Sequence, residues 1–318
     1  MKRPLIIDAD PGIGDALTVA LALLEPTFDV IGLTSVAGRV SGEMGLRNLQ
    51  GVASLLDPPR WPRIGGGDGR ATSQPTGEDW IDPVFLDGET GLGECTIPHV
   101  DLHHRVDSVK LLVELVRDRP HDVTILSLGP LTNLAAAEER HPGFLSQVKE
   151  IVILGGAWQA GGDITAAAEF NIYSNPAAAR SVLLAAATKT IIPRDISSRP
   201  ILSFDLYQRQ KIERTTRLGR LIEETVPFAL RTHRQYLGTE GVPLAGIVAI
   251  ASLIEPKLFE RTTLPVDVVT QTGPAYGMTL FDRRPRTSAR PNIDLLTHAD
   301  WQGVIDFFIR RLRPAILN

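Results

Sequence analysis

Asp8, Asp10 and Asp15 crowd one short stretch, "DADPGIGDA", between two apolar runs. Like charges packed on one turn repel, so the arrangement asks for a positive partner. Clustered carboxylate oxygens suit a hard cation, Ca²⁺ or Mg²⁺. Each aspartate alone has a plainer use. Asp15 could favour a helix start through the macrodipole, and Asp8 could accept a buried hydrogen bond. Asp-x-Asp is also the pattern of phosphotransferases that use an aspartyl nucleophile, but no separate lysine and acidic motif accompanies it here.

The elements that must position these residues follow from hydrophobic patterning. Short β-branched runs alternate with stretches of helical period. Residues 4–9 read as a buried strand and 13–24 as the helix after it; 29–36 and 43–56 repeat the pair. Residues 57–100, rich in Pro, Gly and Asp, read as a long irregular surface segment. The alternation resumes with helices at 108–117, 131–139 and 176–186 and strands at 123–127, 151–154 and 188–192. Residues 205–236 look helical with Pro227 as an interruption. A short apolar helix at 247–253, late strands at 264–270 and 277–281, and a closing helix at 299–311 complete the chain. This predicts an α/β fold, an open, mainly parallel sheet with helices on both faces, in a single domain over residues 1–318. In such a sheet ligands bind beyond the carboxyl ends of the strands, which is where Asp10 falls.

Composition narrows the function classes. Lys and Arg total 33 against 37 Asp and Glu, a formal charge of −4, which gives no footprint for nucleic acid or an anionic membrane. Hydrophobic residues make up 43%, enough for a globular core, and no uncharged apolar run is long enough to span a bilayer. Cys95 is the only cysteine, so no internal disulfide forms, which fits a reducing compartment. The stretch before Asp8 is too short for a signal peptide's apolar region. A cytoplasmic protein is expected. His99, His103 and His104 read as a surface cluster, since adjacent side chains on a strand point apart and no Cys or Glu completes a metal pattern.

"DADPGIGDA" is similar to the Asp-x-Asp-Pro-Gly-x-Asp-Asp signature of the inosine-uridine preferring nucleoside hydrolases. Further stretches resemble that family in order: "DGETGLG" (87–93), "LGPLTNLA" (128–135) and "LGGAWQAGGDITAAAEFNIYSNPAAA" (154–179). The resemblance implies hydrolysis of the N-glycosidic bond of a small nucleoside or related riboside. It also implies one bound Ca²⁺, and a homodimer or homotetramer. Asp10 matches the family's metal ligand and general base, Asp15 a second ligand, and the Leu128 carbonyl a backbone ligand. Asp8 matches a supporting carboxylate, and Glu169 and Asn171 match sugar contacts. Asn133 reads as a helix-start cap. Trp158 and Tyr173 are candidates for stacking on a base, with core packing as the alternative. His233 and Tyr236, at i and i+3, read as sharing a helix face near the leaving base.

The chain also departs from the family pattern. Gly14 stands where the family has an aspartate, Arg39 and Asp163 where it has asparagines, and Asp87 where it has a histidine. In "GVPLAGIVAIA" (241–251), Ala245 and Gly246 align with a histidine and a metal-binding aspartate. Glu240 is the nearest residue that could stand in. These changes make the expected calcium site incomplete and calcium weak or absent. Two readings stay open. One is an active hydrolase with altered specificity, in which Arg39 pairs with an anionic group such as a phosphate on the sugar. The other is a nucleoside- or sugar-binding pseudoenzyme, in which Arg39 pairs with Asp10 or Asp15 in the ion's place.

Overall fold

The computed structural model describes residues 2–67, 81–96, 106–210, 212–213 and 215–312; the cluster of His99, His103 and His104 lies outside them. The chain opens with β1 (Arg3–Ala9), α1 (Ile13–Leu24), β2 (Phe28–Ser35), α2 (Gly42–Leu56), β3 (Arg63–Gly66), α3 (Pro83–Asp87) and β4 (Val106–Asp107). It continues through α4 (Ser108–Asp118), β5 (Thr124–Ser127), α5 (Thr132–Arg140), β6 (Glu150–Leu154), α6 (Phe170–Ser174), α7 (Pro176–Leu184), β7 (Lys189–Ile192) and α8 (Arg194–Ser197). Then come β8 (Ile201–Ser203), α9 (Phe204–Arg209), α10 (Arg217–Thr232), β9 (Gly241–Pro243) and α11 (Ala245–Ile254). The last elements are β10 (Phe259–Leu264), β11 (Val266–Val268), β12 (Thr279–Phe281), β13 (Ile293–Ala299) and α12 (Trp301–Leu312).

Among the described residues nine strands form one sheet in the order β10-β13-β7-β6-β5-β1-β2-β3-β4. All neighbours are parallel except β10 and β13. The central strands are apolar on both faces because helices cover both: Leu5, Ile6 and Ile7 of β1 are fully buried. Two core clusters result. One joins α1, α2, α10 and α11 to the sheet, and the other joins α4, α5 and α7. The chain runs outward from β1 through β2, β3 and β4, then returns to place β5 on the other side of β1. The gap between β1 and β5 is therefore the point where the winding reverses, and a crevice opens beyond its carboxyl edge.

Several expectations need correction. The segment 57–100 is not irregular throughout, since β3 joins the sheet and α3 is helical. With only four residues, two of them Gly, β3 carries too weak an apolar pattern to stand out. Pro227 lies inside α10 without ending it; the break in 205–236 comes between α9 and α10. Of the late strands, β11 and β12 form a separate antiparallel pair. The sheet edge is instead built by β10 and β13, which patterning missed because β10 exposes most of its side chains.

Candidate active site

Asp10 follows the last residue of β1 at the winding switch and is 1% exposed. Its carboxylate is wedged between the backbones of Gly38 and Gly129, where a Cβ at either position would overlap its oxygens. The Arg39 backbone N–H donates to Asp10 Oδ2 at 2.6 Å. Burial, with the charge of Asp15 next, holds the Asp10 carboxyl well above the usual range. Asp15 sits in the first turn of α1. By accessible surface it is half-buried, yet the enclosing protein dominates and pushes its carboxyl up to about 7, against the pull of the Arg39 guanidinium.

Asp8 is fully buried. Its Oδ1 accepts from Thr34 Oγ1 at 2.6 Å and from Asn133 Nδ2 at 2.8 Å. Its Oδ2 has no partner among the described residues, and burial raises the carboxyl to about 7. Asn133 is not the helix cap expected of it. Its amide reaches back to Asp8 and to the Ser35 carbonyl, tying α5 to the ends of β1 and β2, while Leu131 holds the cap position with no side-chain bond.

The Arg39 guanidinium pairs with Asp87, through Nε at 2.8 Å and Nη2 at 2.6 Å, both to Oδ2. The partners expected in the pseudoenzyme reading, Asp10 and Asp15, receive only the backbone N–H and the longer-range field respectively. Asp87 is held in turn by the start of α1, where the Ile13 N–H donates to its Oδ1 at 3.2 Å. Gly12 leaves it room, since a Cβ there would stand 2.9 Å from Asp87 Cγ. Two departures from the family pattern, 48 residues apart in sequence, thus meet each other.

His233 opens a π-helical turn, His233–Leu237, after α10. Its Nδ1 is buried with no partner among the described residues. Burial, with Arg39 next, lowers the imidazole to about 4, so it is neutral at pH 7. Tyr236 does not share its surroundings: the widened turn sends that exposed ring against Phe85 of α3, centroids 5.2 Å apart.

On the other wall Glu169 caps α6. Its carboxylate accepts from Gly156 N at 2.7 Å, Asn171 N at 3.1 Å and Ile172 N at 3.4 Å. Burial, with Asp163 next, pushes it up to about 8. Asn171 Nδ2 donates to the Leu128 carbonyl at 2.7 Å and to the Leu154 carbonyl at 2.9 Å. Asp163, exposed at the surface, accepts from Phe170 N at 2.9 Å and faces Arg194 Nε at 3.8 Å. Tyr173 packs edge-on against Tyr276, and Trp158 lies under Arg283. Sequence reasoning missed Asp195, which accepts the N–H groups of Trp158, Gln159 and Ala160 at 2.6–2.7 Å. An acidic residue just past the carboxyl end of β7 was the available signal. Phe85 was missed inside the stretch read as irregular.

Gly14 faces open space, with nothing within 4 Å of a built Cβ. Gly246 does not: a Cβ there would overlap Thr18 Oγ1 of α1. Beside them lies a small cavity of about 20 Å³, walled by apolar residues such as Leu17, Leu202, Val226 and Ala245. Glu240 is exposed. The resemblance implies calcium here, and of the matching donors Asp10, Asp15 and the Leu128 carbonyl are present. Asp10 Oδ2 and the Leu128 carbonyl each also accept a protein hydrogen bond, and Gly246 brings no ligand. Among the described residues no three His, Cys, Asp or Glu side chains are placed to hold a metal ion.

Comparison with known proteins agrees with this architecture. A pyrimidine-specific ribonucleoside hydrolase, RihA, of Photobacterium profundum is 33% identical over 315 residues, covering 98% of this chain and 99% of that protein. RihA of Escherichia fergusonii matches equally, at 33% over 315 residues with the same coverage. The solved plant nucleoside hydrolase PpNRh1 superposes with a TM-score of 0.87 at 28% identity, over 99% of this chain and 100% of that one. A purine-preferring ribonucleoside hydrolase from Gardnerella vaginalis, with TM-score 0.86, 24% identity and 98% of each chain covered, shares the fold. No described helix is long and apolar enough to cross a membrane. Residues 5–306 match the family described as inosine-uridine preferring nucleoside hydrolase, and the chain belongs to that family.

Proposed function

We propose that this protein hydrolyses the N-glycosidic bond of a ribonucleoside or related N-riboside, at a crevice whose calcium site is incomplete. The observation that carries the reading is Asp10, buried at the winding switch with its carboxyl held well above the usual range. Such a group is a stronger base near neutral pH than an exposed aspartate. In the reaction the bond from the anomeric carbon to the base breaks and its electron pair leaves with the base. A water oxygen bonds to that carbon, and the water's proton passes to Asp10. Glu169, Asn171, Asp163 and Arg39 line the path a sugar would take, Asp15 adds negative charge beside the developing cation, and Asp8 supports from beneath. The pyrimidine preference named for the RihA relatives makes uridine the first substrate to try.

A second reading, ligand binding without turnover, is favoured by the Arg39 N–H that already engages Asp10 Oδ2. Uridine and inosine hydrolysis, with and without chelator, separates the two. The hydrolase reading expects release of free base that Asp10→Asn reduces by about 10²-fold or more; binding of uridine with no release in either protein supports the second. A single domain over 1–318, a homodimer or homotetramer and a cytoplasmic site belong to the same proposal, and light scattering tests the assembly.

A further inference from the structure

We infer that this crevice supplies its own positive charge: the Arg39 guanidinium, clamped by Asp87, takes the place of a divalent ion, so that ligand binding needs no metal. The inference deepens the proposed function and rests on it only for the identity of the ligand.

The argument begins with how residue 39 is held. Its backbone N–H bonds Asp10 on the β1 side, and its guanidinium bonds Asp87 on the α3 side. Asp87 is itself tied to the start of α1 through the Ile13 N–H. The cation is therefore fixed at both ends of its side chain. Its field reaches Asp10 and Asp15 as well as Asp87, and also Asp163 on the opposite wall. The guanidinium thus neutralises Asp87 directly and eases the repulsion among the other carboxylates only through its field.

A calcium ion entering among these carboxylates would meet a like charge held there by Asp87, which disfavours it. The far side offers no compensation, because Thr18 fills the space beside Gly246. Arginine also differs from a metal in what it gives a ligand. Nη1 has no hydrogen-bond partner among the described residues. It can donate to a sugar hydroxyl, and a chelator cannot remove it.

The test uses the full chain stripped of metal. Thermal melts compare wild type, Arg39→Lys and Arg39→Gln in chelator and in about 5 mM CaCl₂, a concentration at which even a weak site would register. Wild type and Arg39→Lys, which keep the charge, should move by no more than about 1 °C. Arg39→Gln should melt lower in chelator and recover by about 3 °C or more with calcium, because the ion replaces the lost charge. A wild-type melt raised to that extent by calcium, or an Arg39→Gln protein indifferent to it, overturns the inference. Calorimetric titration of CaCl₂ into wild type guards against a variant that does not fold, since micromolar binding overturns the inference by itself. D-ribose, titrated with and without chelator, should bind equally within about twofold, and a tenfold loss in chelator likewise counts against it. Loss of uridine turnover would count against the proposed function while leaving the melts to decide this one.

Discussion

Changing Gly246 to Ala puts a methyl group where α11 and α1 leave no room. Thr18 is fully buried and its Oγ1 donates to the Gly14 carbonyl at 2.9 Å. A Cβ at 246 would overlap that hydroxyl and stand 3.1 Å from Thr18 Cβ. A β-branched residue in a helix has little rotamer freedom with which to yield. Overpacking of this kind costs about 1–3 kcal/mol, and the gain from replacing a helical Gly by Ala offsets at most about 1 kcal/mol. Gly246→Ala should therefore lose about 1–2 kcal/mol. Thr18→Ala should lose about 1 kcal/mol for its hydrogen bond and methyl group. In the double variant the obstruction is gone and the helix gain remains, so the loss should be no larger than for Thr18→Ala alone, a coupling of about 2 kcal/mol. With an unfolding entropy of about 2 cal/mol/K per residue, each kcal/mol shifts Tm by roughly 1.5 °C for a chain of 318 residues. Urea and thermal denaturation of the four proteins measures the cycle. Losses that add to within about 0.5 kcal/mol, or a higher Tm for Gly246→Ala, would refute the interlock. The same geometry sets the conditions for rebuilding a calcium site. Asp can enter at position 14 freely, but at 246 only with Thr18→Ala beside it, and Arg39 must go as well.

The remaining predictions concern the walls of the crevice. Asp195→Ala strips the acceptor from three backbone N–H groups and should cost about 2–3 kcal/mol, with faster hydrogen exchange at Trp158, Gln159 and Ala160 as the specific readout. Asn133→Ala leaves Asp8 Oδ1 with Thr34 alone and should cost about 1–3 kcal/mol in denaturant unfolding. For pH, Glu169 titrates near 8 folded against 4.5 ordinarily, and Asp8 near 7 against 3.8, so the folded state holds extra protons between those limits. Their contribution is full below the unfolded values and is lost as pH rises through the folded ones. His233, lowered from 6.5 to about 4, acts in reverse and only below about 6.5. Stability should thus fall between about pH 5 and 8, most steeply near about pH 6–7 where both carboxyls hold an extra proton and the opposing His233 contribution fades, by up to about 1.4 kcal/mol per pH unit for each extra proton. Glu169→Gln should flatten that slope, and an unchanged slope would contradict the assignment.

The helices and inner strands around Asp10 were legible because burial on both faces leaves long apolar runs and because Pro11-Gly12 marks the turn. Helix α1 falls on residues 13–24 as patterning predicts. What escaped was whatever depended on distant partners. The four residues of β3 are strand only because β2 and β4 flank them, and β10 is strand only because β13 pairs with it. Site identities were readable from local motif, so the carboxylates at 8, 10 and 15 could be placed in one crevice. Their partners could not. No local signal says that Asn133 turns inward to Asp8, or that Arg39 chooses Asp87 over nearer carboxylates, because both choices are made by chain segments brought together only in the fold.

That difference bears on whether the departures from the family pattern are decay or redesign. Loss without replacement would leave charges facing one another with no counter-ion, and cavities where side chains had been. Arg39 and Asp87 instead neutralise each other at 2.6 Å, and Thr18 closes the space at Gly246. Neither member of either pair is sensible alone. An arginine without Asp87 would lack its anchor, an aspartate at 87 without Arg39 would add repulsion to Asp15, and a threonine at 18 would collide with any side chain at 246. Among the described residues three buried side-chain atoms are left without partners, Asp8 Oδ2, Trp158 Nε1 and His233 Nδ1; Asp8 lies at the end of β1 and His233 within the field of Arg39. A crevice whose departures compensate one another in packing and in charge is better explained by redesign than by decay.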